Sequence, residues 1–426
     1  MNSGQEFRNE CLGMRIHCVN PQADFNTFLQ EEAGYHIWNG YDYIESEYVA
    51  EISKGQADFL SSVAEEMYRM CITAVDRVIT ENRFTEFGIG PLQAKHIIAS
   101  WNRAQAGQGG ISRDPELYGR FDFCWDGADG AKFYEINADT PTTAYECSVV
   151  QWVVVNDLIK RGELPGHMGQ FNSLEEKIID RMTEIRGMTA DRKIDKLHFS
   201  CMTDWKEDLT TTSYLEELAK KAGWNTKFID IGLVGANENV LSKAFGNFYD
   251  TDNEEIKALY KLMPWEHIYE SSYAQYVMND KILFIEPPWK AILSNKMLSV
   301  LLWEMYPGHP YLLPAYTSPE RLGNTYVEKP IFGRISAGVR VIQDKITIGE
   351  RRYDPDEPLS GYLRYPKIYQ QFCPLPYTPG LPGWRYQTGL WVVGNGNVAG
   401  MDLRIDKSLV TGGGTIKFLP HVMDLK

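Results

Sequence analysis

Apolar positions in the first quarter of the chain recur at three- and four-residue spacing: Phe59, Leu60, Val63, Met67, Met70, Cys71, Ala74 and Val78 share one side of a 3.6-residue period. The spacing predicts an amphipathic helix whose Met and Cys side chains are core packing. Over residues 117–137 the period drops to two, alternating around Asp126-Gly127-Ala128-Asp129-Gly130, which is the turn chemistry of a β-hairpin. A helical apolar run returns over residues 145–158 and is broken by the Gly- and Pro-bearing residues 161–166. From Lys196 the strand pattern LHFSCM, the helix pattern SYLEELAKKAG and the strand pattern TKFIDI predict a βαβ unit, hence a small parallel sheet in a separate α/β lobe. A further strand, KILFIEP, leads through Pro287-Pro288-Trp289 into a helix. That helix is expected to begin at Ser294 as its N-cap and to carry Met297, Val300, Leu301 and Glu304. Beyond Pro314 short strands alternate with Gly and Pro turns, and neither an internal repeat nor a low-complexity tract interrupts them.

With 426 residues, 43% hydrophobic and 12% aromatic, the chain can bury more than one core, so two or three packed lobes are expected. No run of about 18 uninterrupted apolar residues occurs, and no apolar segment follows the polar start MNSGQEFRNE, which argues against membrane spans and secretion. The cysteines (Cys11, Cys18, Cys71, Cys124, Cys147, Cys201 and Cys373) are scattered and never spaced C-x-x-C. They suggest neither a disulfide framework nor a zinc cage, and a reducing cytoplasm fits best. The formal net charge of −14 disfavours nucleic acid and anionic membranes as partners, so any phosphate site must be built locally.

The first hairpin strand puts Phe121, Phe123 and Trp125 on one face and Arg120, Asp122 and Cys124 on the other. In the return strand Phe133, Glu135 and Asn137 share a face, and folding about the turn sets Asp122 opposite Glu135 and Arg120 opposite Asn137. Two carboxylates and an amide oxygen converging there are the hard donors that magnesium selects, and an adjacent arginine suits phosphate or carboxylate. A surface hairpin with cross-strand ion pairs fits the same spacing equally well. Lys329 ends a strand and precedes the glycine-bearing residues 333–338, a form that can fold over polyphosphate, although two glycines near a lysine are more often a plain hairpin. Near the C-terminus Arg404 lies on the polar face of a strand. The run from Gly394 to Gly400 joins two strands and opens no helix, so it is not a dinucleotide fingerprint. H-E-x-x-H, G-x-S-x-G and G-x-x-x-x-G-K-[ST] are absent, and most of the dispersed histidines, His309 and His421 included, read as structural.

In order along the chain, YGRFDFCWDG, KFYEINADTPTTAYECSVVQW, MPWE, LSNKMLSVLLWEMYPGHPYLLPAY, VEKPIFGR, IYQQFCPLP, WVVGNGNVAGMDLRID and FLPHV closely resemble the glutathionylspermidine synthase C-terminal domain family. The resemblance spans nearly the whole chain and includes stand-alone members provisionally described as acid–amine ligases. It implies an α/β (α+β) ATP-grasp fold with a pre-ATP-grasp lobe, in a permuted order. On that division residues 1–190 are a helical region with the metal-binding hairpin, 191–290 the pre-ATP-grasp lobe, and 291–426 the nucleotide lid and C-terminal core strands. The resemblance implies ATP and Mg2+ as cofactors, with Asp122, Glu135 and Asn137 on the metal. Arg120 would meet the transferred phosphate or substrate carboxylate. Lys296 and Lys329 would be the nucleotide-phosphate lysines, residues 370–373, with Gln371, Phe372 and Cys373, the hinge beside adenine, and Arg404 an arginine at the reacting phosphates. Thr140 and Thr142 stand where relatives carry serines that hold a peptide, and Glu207 would guide the amine. The implied partners are a small peptide or amino-acid carboxylate and an amine, such as a polyamine, with a homodimer as a further expectation.

Two departures from the family pattern stand out. No Cys–His pair precedes the synthetase region, so amide hydrolysis is not expected. The lid loop reads G-R-I-S-A-G where relatives have a more glycine-rich run, which bears on turnover more than on nucleotide binding. A carboxylate is a poor electrophile, and the implied chemistry activates it as an acyl phosphate that an amine then attacks, with the cationic residues offsetting phosphoryl charge. Three other readings compete: an ATP-binding module without turnover, a glycoside hydrolase using Asp122 and Glu135, and a different ATP-grasp peptide ligase. The hydrolase would leave Lys296, Lys329 and Arg404 without a role.

Overall fold

Ser53 starts the long helix Lys54–Thr80 with a capping box: its hydroxyl accepts from the Gln56 amide at 3.2 Å, and its own amide donates to the Gln56 side chain at 2.6 Å. Leu60, Val63, Met67, Met70, Cys71, Ala74 and Val78 are buried along one face of this helix, while Phe59 is half-buried. Each such Leu, Val or Met contributes about 1.5–3 kcal/mol by burial. The computed structural model describes residues 13–34, 43–103, 113–351, 358–412 and 416–426; the polar N-terminal decapeptide and Cys11 lie outside them.

Three of the sheets among the described residues position the cavity. The central antiparallel sheet runs in the order Lys417–Leu419, Asn397–Asp406, Arg385–Val393, Tyr118–Trp125, Ala131–Asn137. A second antiparallel sheet, termed the lid sheet after the lid that the family resemblance implies, runs Ala315–Tyr316, Lys367–Gln371, Thr325–Pro330, Arg340–Gln343, Ile346–Glu350. The predicted βαβ unit is present, with Lys196–Cys201 and Asn225–Asp230 parallel and helix Lys206–Lys221 between them; Ala258–Lys261 and Leu283–Ile285 complete that parallel sheet. Residues 394–396 turn between two antiparallel strands, as expected.

The hairpin has the expected pairing, Arg120 with Asn137 and Asp122 with Glu135, but one face assignment is corrected. The register shifts between Asp122 and Phe123, so Phe123 pairs with Phe133 and Tyr134 is the additional residue. Phe133 therefore turns away from Glu135 and Asn137 into the apolar core, with its ring centroid 6.0 Å from those of both Phe121 and Phe123. Ser294 is also corrected: it ends the short helix Lys290–Leu293, and the next helix is Met297–Met305 with Lys296 at its N-cap. The Ser294 hydroxyl accepts instead from the amides of Ala138 and Asp139, at 3.2 and 2.8 Å, tying this turn to the end of the hairpin. His421 is structural, as expected: it is buried, accepts from the Phe171 amide at 3.1 Å and lies 2.9 Å from the Gln151 side-chain oxygen.

Candidate functional site

The polar face of the hairpin opens into a cavity of about 780 Å³ shared by the central sheet, the lid sheet and the segment after the first parallel strand. Asp122 is its most heavily held group. Arg120 Nε donates to Asp122 at 2.8 Å, Arg404 Nη2 at 2.6 Å and Asn137 Nδ2 at 3.1 Å. Burial alone would raise the Asp122 carboxyl, but Arg120 and then Arg404 outweigh it and hold the group below its ordinary range. Arg120 is held in turn, donating to the Thr142 carbonyl at 2.7 Å and the Thr143 hydroxyl at 3.3 Å, with its guanidinium 5.5 Å from the Trp391 ring centre.

Glu135, across the strand pair, faces two lysines. Lys296 Nζ lies 3.2 Å from its carboxylate and donates to the Gly333 carbonyl at 3.0 Å, so Lys296 joins the hairpin to the lid loop. Burial raises Glu135, and Lys296 followed by Lys329 more than compensates, leaving it ionised below its usual range. Burial pushes the Lys329 ammonium down to about 8, with Glu135 opposing. Lys329 donates to the Gln370 side-chain oxygen at 2.7 Å and sits 5.4 Å from the Tyr134 ring centre. Tyr134, the residue added by the bulge, donates its hydroxyl to the Cys373 carbonyl, while the Gln371 amide donates to the Pro314 carbonyl at 2.8 Å. The bulge thus ties the segment just after the strand Lys367–Gln371, the expected hinge, to the central sheet.

Arg120, Asp122, Glu135, Asn137, Thr140, Thr142, Glu207, Lys329, Gln371, Phe372, Cys373 and Arg404 all line this one cavity. Lys296 stands behind Glu135 in a small adjoining recess rather than on the main wall. Sequence reasoning passed over several wall residues. Arg334 carries a side chain 16% exposed, with Nε and Nη2 buried and without hydrogen-bond partners; it lies 3.3 Å from Glu266 and 3.8 Å from Asp139. An arginine after the glycine of the lid loop was visible in the sequence, but its inward direction depends on the loop's backbone. Tyr43 and Glu146 also reach the wall, and so does Asp208, beside the expected Glu207. Asp208 is pushed up to about 7 by burial and by neighbouring Glu207.

The donor chemistry fits magnesium. Asp122 and Glu135 supply two carboxylates kept ionised by surrounding cations, and Asn137 supplies an amide whose oxygen and nitrogen can exchange by a side-chain flip. Elsewhere, among the described residues, His198, Asp250 and Glu254 also approach metal-ligand spacing. None of those three residues lines the cavity. A nucleotide would fit the larger space: lysines and arginines gather beside the hairpin, and Phe372, Cys373 and Leu375 offer an apolar wall suited to a flat base.

Comparisons with known proteins agree with this geometry. A family model described as glutathionylspermidine synthase preATP-grasp matches residues 18–424. A Haemophilus influenzae protein provisionally named an acid–amine ligase is 33% identical over 398 residues, covering 92% of each chain. The bifunctional glutathionylspermidine synthetase/amidase of Escherichia coli is 25% identical over 436 residues, which span 96% of this chain and 62% of that protein. A solved glutathione synthetase-like effector from Globodera pallida, in its apo form, shares 11% identity with a TM-score of 0.50, covering 88% of both chains. That likeness concerns the fold alone, and with the family match it makes the architecture an ATP-grasp one, as expected. Among the described residues no helix is long and apolar enough to cross a membrane.

Proposed function

The chain belongs to the glutathionylspermidine synthase family of carbon–nitrogen ligases, and from that premise we propose that it joins a carboxylate to an amine in an ATP- and magnesium-dependent reaction passing through an acyl phosphate. The observation that carries the reading is the charge arrangement of the cavity. Arg120, Arg404, Lys296 and Lys329 converge on Asp122 and Glu135, while Glu146, Glu207 and Asp208 line the same space.

ATP would supply the phosphoryl group that turns a carboxylate oxygen into a leaving group, and Asp122, Glu135 and Asn137 would hold a magnesium ion, whose chemistry is to offset charge on phosphate oxygens. The protein's part is positioning and neutralisation. Lys329 would meet the phosphates and Arg404 the phosphoryl group in transfer, with Lys296 acting from behind Glu135, while Arg120 would orient the acid. Gln371, Phe372 and Cys373 flank the base. The Thr140 and Thr142 hydroxyls hold the acid substrate, a small peptide or amino acid. Glu207 and Asp208 draw in the cationic amine, a polyamine or similar base.

One observation favours a second reading, a nucleotide-binding module without turnover. The lid loop carries Ile335 at φ 48° and Ser336 at φ 58°, left-handed conformations that glycine adopts without strain and a β-branched residue does not. ADP release from Mg-ATP by the purified protein, across a panel of acids with and without amines, separates the two. Release requiring both an acid and an amine, and lost by at least about a hundredfold in Glu135→Ala, supports the ligase. Tight ATP binding without release supports the module, and failure to bind ATP overturns both.

A further inference from the structure

The helix Trp265–Glu270 has two faces with different partners. On one face Trp265 is fully buried: its amide donates to Asp139 at 2.8 Å, its indole donates to the Glu286 carbonyl at 3.2 Å, and Tyr269 stacks on it at 5.2 Å. Tyr269 is itself 3.2 Å from His96 Nδ1, on the helix Pro91–Asn102. That face belongs to the body of the molecule. The other face carries Glu266, His267 and Glu270, spaced over one helical turn, and every one of them meets the lid. Glu266 faces Arg334 of the lid loop at 3.3 Å. His267 lies 2.7 Å from the Tyr362 hydroxyl, with the two rings 5.3 Å apart. Glu270 accepts from the Tyr365 hydroxyl at 2.7 Å and from Arg364. Tyr362, Arg364 and Tyr365 lie just before the strand Lys367–Gln371, and Arg334 lies just after the strand Thr325–Pro330, so one turn of helix holds the chain at two neighbouring inner strands of the lid sheet.

We propose that the helix Trp265–Glu270 is the latch of the lid, with Glu266–Arg334 as its inner contact, at the cavity, and Glu270 with Arg364 and Tyr365 as its outer contact. Opening the cavity requires these polar contacts to part while the Trp265 face stays seated. They suit repeated opening, because each exchanges protein partners for water at small net cost, whereas an apolar seam of the same length would resist parting. The inner contact also orients Arg334 towards the cavity only when the lid is down. Only the consequence for nucleotide release rests on the ligase reading; the latch itself does not.

Amide hydrogen exchange on the whole chain tests the proposal. In Glu270→Gln, exchange in residues 325–343 and 367–371 is expected to rise about threefold, the scale of an exposed ion pair. In Glu266→Gln the Arg334 guanidinium loses its nearest carboxylate, and about tenfold is expected over the same residues. Strands 385–393 and 397–406 of the central sheet should be unchanged in both variants, and Glu270→Arg combined with Arg364→Glu should restore the parent rate. Unchanged lid exchange in both variants overturns the latch, as does a rise shared equally by the central sheet, which would mean general destabilisation. Dissociation of a fluorescent ATP analogue from Glu270→Gln should also be about threefold faster. If the parent protein binds no nucleotide, the ligase reading fails while the exchange result still decides the latch.

Discussion

At the scale of single residues, Lys329 shows a conflict between burial and charge. Burial in the cavity wall pushes its ammonium down to about 8, and the Glu135 carboxylate recovers only part of the loss. An ammonium attracts polyphosphate only while protonated, so nucleotide affinity is expected to weaken as pH rises through about 8. Lys329→Met should bind about tenfold more weakly near neutral pH and lose that pH dependence, which calorimetric titrations between about pH 7 and 9 would check. The identities of Asp122, Glu135, Asn137 and Arg120 as one cluster were legible in the sequence, because strand alternation and a short turn place them by local rules. Arg334 was not legible in the same way, since its place on the cavity wall depends on contacts with Glu266 and Asp139, far away in the chain.

At the scale of elements, the long helix, the hairpin and the βαβ unit followed from periodicity, because each is stabilised by its own hydrogen bonds and presents one apolar face. The errors came where a neighbour overrode the local pattern. The bulge at Tyr134 moves Phe133 into the core and braces the expected hinge, and Ser294 serves two amides of another segment rather than capping the next helix. The lid loop is the element whose strain is testable. Ile335 is 52% exposed at φ 48°, so its side chain adds little burial to offset the backbone conformation. Ile335→Gly is expected to stabilise the protein by about 1 kcal/mol, less the entropy that glycine loses on folding, and urea unfolding would measure it. The same variant should leave nucleotide affinity within about twofold, because Ile335 is not one of the cationic residues proposed to meet the phosphates.

At the scale of the whole molecule, charge and assembly dominate. A net charge of −14 surrounds a cavity whose cations are gathered beside the hairpin, so long-range attraction for a cationic amine coexists with a local phosphate site. On the ligase reading, kcat/KM for a polycationic amine should fall severalfold between about 20 and 200 mM salt, while kcat/KM for the acid should change less; steady-state kinetics at the two ionic strengths would check it. The cavity is built from strands that begin at Tyr118 and end at Asp406, with the parallel lobe and the lid inserted between them. The sequence by itself determined the helical and strand segments, the acidic balance, the hairpin cluster and, through ordered motifs, the family. Those properties depend on neighbours within a few residues or on composition, which the linear chain displays directly. Only the tertiary structure decided which distant segments share the cavity, which way Phe133 and Arg334 face, and that one turn of helix at Trp265–Glu270 holds the lid. Those outcomes arise from packing and ion pairing between residues separated by tens to hundreds of positions, for which the chain carries no local period.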